Sequence, residues 1–281
     1  MKLILRKNDS ATSLLLFIFN NYYTKNLKDS LKLSSLLSIL KIFDKNETAI
    51  RMSLSRAVKS GFLLNCKKDN EVIYKLTIQG NQAIQAWNEG VQSYWKRYIK
   101  RYQPWDGKWY YIYIEFSSDK KQKIEIIDKL QLLGFSLINT NNWICPYYLK
   151  NEINETIGKY NLKCIIEILG EMNIRKDMTE FLDEVYKFDI LRKKYKDFIN
   201  IYEPKLLQTK EIYKLDKFVD SGQALPLLHE LGWEFFTIAS DDPVLPNQLF
   251  PVWEADKASS IMKEFRNLLL EASLKYLNKF D

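Results

Sequence analysis

Apolar positions fall into blocks whose spacing predicts most of the elements. The run SATSLLLFIFNNY, Ser10 to Tyr22, sets a dense apolar stretch behind hydroxyl residues and predicts a largely buried helix capped by Ser10 or Thr12. From Leu31 to Phe43, apolar residues recur at Leu33, Leu36, Leu37, Leu40 and Phe43, predicting a second, shorter helix. A third helix is expected within Asn46 to Leu63, with Asn46 as cap and Gly61 as terminator. At 100° per residue Ile50, Leu54 and Ala57 share one face, with Val58 at its edge. The opposite face carries Thr48, Met52, Ser55, Arg56 and Lys59, with Arg51 on its flank. Phe62 to Cys66 and Val72 to Thr77 read as two strands, and Lys67, Lys68, Asp69 and Asn70 between them as a basic turn. Three helices followed by such a hairpin is the order of a helix-turn-helix with a wing.

Beyond the hairpin, Asn81 to Tyr102 predicts a helix bearing Trp87, Tyr94, Trp95 and Tyr98, aromatics expected to pack rather than stack on bases. Pro104 and Asp106-Gly107 then mark a boundary. Trp109 to Phe116 reads as a strand, Lys121 to Leu133 as a helix, and Phe135 to Asn139 and Trp143 to Cys145 as strands. Leu149 to Tyr160 follows as a helix and Lys163 to Leu169 as a strand. The β-α-β-β-α-β order is that of a ferredoxin-like domain. The remainder is expected to be helical: 177–219, Leu225 to Ala239 ending at Asp242-Pro243 and Pro246, and a last helix over Ala255 to Phe280. The expectation is an α+β chain with a winged helix-turn-helix at 1–80, a connecting helix and linker at 81–105, a ferredoxin-like domain at 106–175 and a helical domain at 176–281.

Composition sharpens this picture through charge. The 281 residues carry a formal net charge of +7. Residues 1–105 hold 18 Lys and Arg against 7 Asp and Glu, leaving 24 against 28 for the rest, so a +11 head precedes a −4 body. Phosphate attraction needs local charge, and a basic head on a mildly acidic body fits a nucleic-acid reader joined to a sensing or pairing part. A Lys-rich solvated surface accounts for the same numbers. The 46% hydrophobic content argues against extensive disorder. Cys66, Cys145 and Cys164 are far apart and lack Cys-x-x-Cys spacing, so neither a disulfide framework nor a zinc site is expected. The apolar run Leu14 to Phe19 is far shorter than the roughly 20 residues of a membrane span. A cytoplasmic protein is expected, without a membrane partner and without a cofactor.

Candidate chemistry concentrates on the third helix. Arg and Lys reach guanine edges or phosphates, and Ser and Thr approach the backbone closely. The DNA-contacting set is therefore Thr48, Arg51, Met52, Ser55, Arg56 and Lys59, with Lys67 and Lys68 on the hairpin. His229 is the single histidine and lacks a Ser or Cys nucleophile setting, and no P-loop or G-x-S-x-G is present. With Trp233 and Phe236 it is a candidate for lining an effector pocket, and equally for packing helices. The competing reading is a metal-dependent nuclease of the central domain, which needs clustered carboxylates. Only Glu115, with Asp106 and Asp119 in flanking loops, is on offer.

Five blocks in order carry a resemblance. TAIRMSLSRAVKSGFL, YKLTIQG at Tyr74 to Gly80, PWDGKW at Pro104 to Trp109, LGFSLINTNNWICP at Leu133 to Pro146 and LLHELGWEFFTIASDDPVLPNQLFP at Leu227 to Pro251 resemble the PaaX family of transcriptional repressors. The resemblance runs nearly end to end. It implies a dimer that binds palindromic double-stranded operator DNA and is released by a small-molecule effector, an aryl-CoA thioester such as phenylacetyl-CoA. It also implies that the central region is similar in fold to small CRISPR-associated nucleases. Phe62-Leu63 departs from the family's usual Trp-Leu, and the block from Leu169 to Arg175 is diverged.

Overall fold

The computed structural model describes residues 11–26, 30–162, 165–213 and 222–280. In chain order the elements are α1 (Ala11–Asn26), β1 (Leu31–Lys32), α2 (Leu33–Lys41), α3 (Glu47–Lys59), β2 (Leu63–Lys68), β3 (Glu71–Leu76) and α4 (Ile78–Lys100). They continue with β4 (Trp109–Ile114), α5 (Lys120–Leu133), β5 (Ser136–Asn139), β6 (Asn142–Cys145), α6 (Lys150–Tyr160) and β7 (Ile165–Gly170). Helices α7 (Met178–Tyr186), α8 (Phe188–Tyr213), α9 (Ala224–Ala239) and α10 (Glu254–Leu277) complete the chain, with a short 3-10 turn at Asn278–Phe280. The fold is α+β: mostly helical, with two small antiparallel sheets.

Several local expectations are corrected. Ser10 and Cys164 lie outside the described residues. Thr12 is buried inside α1 and is not its cap, because the helix already includes Ala11. Leu31 and Lys32 form a strand and not the start of a helix, pairing with Tyr74 and Ile73. Lys67 and Lys68 sit at the end of β2, and the turn is the two residues Asp69 and Asn70 alone. Both turn residues take positive φ, at 50° and 63°, as a two-residue hairpin matched to strand twist requires. The helical stretch after 177 is broken at Lys187, which adopts left-handed backbone at φ 53°.

The chain divides into two compact units. One contains the described residues before Gly90 together with Phe198–Phe235 and the chain from Ala258. Its core gathers Leu15, Ile18 and Phe19 of α1, Leu36 and Ile39 of α2, and Ile50, Leu54 and Ala57 of α3. Leu63, Tyr74 and Leu76 of the hairpin close the same core, and so do Leu225 and Leu277 from the C-terminal third. Each fully buried Leu or Ile contributes about 1.5–3 kcal/mol, so the two distant leucines matter as much as any local pair.

The other unit takes Gly90–Asp197 and Phe236–Lys257. Its sheet has the order β5-β6-β4-β7 with all neighbours antiparallel. Tyr110, Ile112 and Ile114 of β4 share a core with Ile126, Leu130 and Leu133 of α5 and Ile153 of α6. Asp119 starts α5 by accepting the N–H groups of Lys121 and Gln122 at 2.8 and 3.2 Å. Gly134 ends it at φ 94°, where a Cβ would press on the Pro243 carbonyl.

Arg101 directly follows α4 and is only 1% exposed. Its guanidinium donates to the carbonyls of Leu245 and Phe250 at 2.8 and 2.7 Å and grips Asp256 through Nε and Nη2 at 3.1 and 3.0 Å. Asn247 N–H donates back to the Arg101 carbonyl at 2.9 Å. The same irregular segment is held by Asp242, whose carboxylate accepts from Tyr195 Oη (2.7 Å), Trp253 Nε1 (3.1 Å) and Val244 N–H (2.7 Å). Burial pushes the Asp242 pKa up, and the three donors pull it back. These bonds hold Val244 at φ 54°, a backbone conformation a β-branched residue seldom adopts and one that costs of order 1–3 kcal/mol. Replacing Arg101 by Ala should lower unfolding free energy by about 3–5 kcal/mol, because Asp256 and two carbonyls lose their buried partner. Arg101→Lys should recover only part of it, both read from urea denaturation midpoints.

Candidate nucleic-acid interface

Helix α3 is positioned by its inner face and presented by its outer one. Asn46 has extended backbone, and its side-chain oxygen accepts the Ala49 N–H at 2.8 Å, satisfying one of the free donors of the first turn. Ile50, Ser53, Leu54 and Ala57 are buried, and the Ser53 hydroxyl is satisfied by the Ala49 carbonyl at 2.6 Å. With that side committed, Thr48, Arg51, Met52, Ser55, Arg56 and Lys59 are all exposed, Met52 at 51%. Arg56 and Lys59 stand in the last turn, where cations also complement the helix dipole. Lys67 and Lys68 are exposed on the hairpin. Among the described residues, Arg56, Lys59, Lys67 and Lys68 have no carboxylate partner, whereas Arg51 is paired with Glu47 at 2.7 Å.

Two contacts that sequence reasoning missed fix the hairpin against the helices. Glu71, opposite Lys68 in the register, accepts a bond from Ser34 of α2 and pairs with Lys32 Nζ at 3.2 Å. Those partners hold its carboxyl below the usual range. Thr77 N–H donates to the Phe62 carbonyl at 3.0 Å, and the Thr77 hydroxyl accepts the Gly80 N–H at 3.0 Å while facing the Gly61 carbonyl. A Cβ on Gly80 would collide with the Phe62 carbonyl, so the start of α4 is pressed directly onto the chain leaving α3. The Thr-x-x-Gly spacing is the only sequence trace of this knot; nothing local announces Glu71.

The three effector candidates all lie on α9. His229 and Trp233 lie together, rings stacked 6.0 Å apart, and His229 also meets Phe17 at 4.9 Å and Phe43 at 6.0 Å edge-on. Phe236 belongs to the other unit and packs against Tyr94 and Trp95. The central carboxylates have local work: Asp119 caps α5, Asp106 accepts the Lys108 N–H at 3.0 Å, and Glu115 is exposed. No group of three metal-ligating side chains occurs among the described residues.

Comparison with known proteins places these observations. Residues 10–80 match a family model described as PaaX-like protein, 102–180 the PaaX protein central Cas2-like domain, and 186–279 the PaaX-like protein C-terminal domain. The chain belongs to the PaaX family of transcriptional regulators. No curated protein matches its sequence. A solved structure, the uncharacterized protein Rv0674 from Mycobacterium tuberculosis, is similar in fold at a TM-score of 0.62 and 14% identity, over 94% of this chain and 97% of that one.

Burial holds the His229 imidazole down to about 4, from an ordinary value of 6.5. The unfolded chain therefore takes up a proton first, and stability should fall as pH drops from about 6.5 toward 4. His229→Phe should flatten that decline relative to wild type in thermal melts across the same window.

Proposed function

We propose that the chain is a ligand-responsive transcriptional repressor that binds operator DNA as a dimer. In this reading residues 1–80 are a winged helix-turn-helix, 81–105 a connector, 106–175 a ferredoxin-like domain and 176–281 a helical domain. The carrying observation is the outer face of α3, an exposed cationic and hydroxyl surface, beside a hairpin that ends in Lys67 and Lys68. Arg51, Arg56 and Lys59, with Thr48, Met52 and Ser55, read the major groove, and the hairpin lysines hold adjacent phosphates. The strand order of the central sheet agrees with the ferredoxin-like arrangement.

Pairing is supported by β7. It is an edge strand whose Ile166, Ile168 and Leu169 are 51%, 55% and 42% exposed, with Glu167 the one charge along it. A second copy meeting it about a two-fold axis covers that surface and gives the operator its symmetry. The family points to an aryl-CoA thioester as effector. An effector that binds the operator-incompetent arrangement more tightly shifts the population and releases the DNA.

Fluorescence anisotropy on duplexes from upstream of the encoding gene tests this. Specific binding is expected, weakened by Arg56→Ala and Lys59→Ala and reversed by phenylacetyl-CoA; equal affinity for scrambled DNA defeats the reading. Ile168→Lys should convert a dimer to a monomer in sedimentation velocity and lower operator affinity without unfolding the chain.

A further inference from the structure

An acid stands where a DNA-reading face should have none. Glu47 is the only carboxylate between Asp44 and Asp69, and it occupies the first turn of α3 with its side chain 63% exposed. An unpaired anion there would repel phosphate on every sequence. Its partner is Arg51, and one oxygen, Oε1, receives both Nε at 2.8 Å and Nη2 at 2.7 Å.

That geometry determines which donors remain. A guanidinium carries five N–H bonds in a planar fork. Glu47 occupies the Nε side, which leaves the Nη1–Nη2 end with two parallel N–H bonds directed away from the carboxylate. Two parallel coplanar donors are the complement of guanine O6 and N7 in the major groove. The Arg51 side chain is 52% exposed, so this end is accessible. The N-terminal turns of a groove-entering helix are also where base edges are met. Tethering restrains the Arg51 rotamers before DNA arrives and opposes indiscriminate capture of phosphate. Arg56 and Lys59 have no such tether among the described residues.

We infer that Glu47 and Arg51 form a preassembled guanine reader, in which Arg51 touches the base and Glu47 is its positioning residue. The inference rests on the DNA-binding reading of α3. On this account Glu47 lowers affinity for DNA in general and raises the preference for the correct sequence.

The test titrates wild type, Glu47→Gln and Arg51→Met against the specific upstream duplex, a scrambled duplex, and specific duplexes with single guanines replaced by 7-deazaguanine. In wild type, loss of one guanine N7 should weaken binding by about tenfold or more, while Arg51→Met, which has no donor, should be nearly indifferent to that replacement. Glu47→Gln should bind scrambled DNA more tightly and lose about fivefold or more of the specific-to-scrambled ratio. An unchanged ratio in Glu47→Gln, or wild-type guanine sensitivity in Arg51→Met, overturns the inference while leaving the regulator reading intact. Wild type that fails to distinguish the duplexes overturns both. Circular dichroism melts establish that these exposed substitutions leave the fold in place.

Discussion

A cation withdrawn from water organises the irregular part of one unit. The segment from Asp242 to Trp253 has no ladder to satisfy its carbonyls, and a buried carbonyl without a donor costs as much as a lost hydrogen bond. Arg101 supplies those donors from the end of α4, and Asp256 at the start of α10 neutralises it. Asp242 performs the converse task, gathering a phenol, an indole and a backbone N–H around one carboxylate. Neither charge is a surface ornament. Each is desolvated because several chain segments converge on it, and the positive φ at Val244 persists because those bonds over-determine it.

How legible this was in the sequence depended on distance along the chain. The buried face of α3 at Ile50, Leu54 and Ala57 follows from a period of 3.6, and all three are in the core. The strand at Leu31–Lys32 is too short to show a period of two, and only its pairing with Tyr74 and Ile73 defines it. In sequence, Asp-Asn with neighbouring Lys reads as a four-residue loop that takes in both lysines. Positive φ at Asp69 and Asn70 makes the reversal in two residues and leaves the lysines on the strand. Nothing in the local sequence sets Arg101 apart from the neighbouring Lys96 and Lys100, because its partners lie 144 to 155 residues away. His229 similarly changes meaning once Phe17 and Phe43 surround it.

The candidate DNA surface was the most legible site because it is local: one helix and one hairpin within about forty residues. Its supports were not. Glu71 ties the hairpin to α2 and β1, and Thr77 with Gly80 presses α4 onto the end of α3, so the cations are displayed on a frame of contacts made between elements. The fold as a whole recurs at 14% identity over nearly the whole of both chains.

Leu225 and Leu277, in the core shared by α1, α2, α3 and the hairpin, have a temporal consequence. During synthesis Leu277 is added about 200 residues after Gly80, some 10–40 s later at ordinary elongation rates. Until then the first three helices and the hairpin leave the ribosome with an open gap in their core. The outer face of α3 is therefore synthesised early, while the core that supports it is completed among the last residues of the chain.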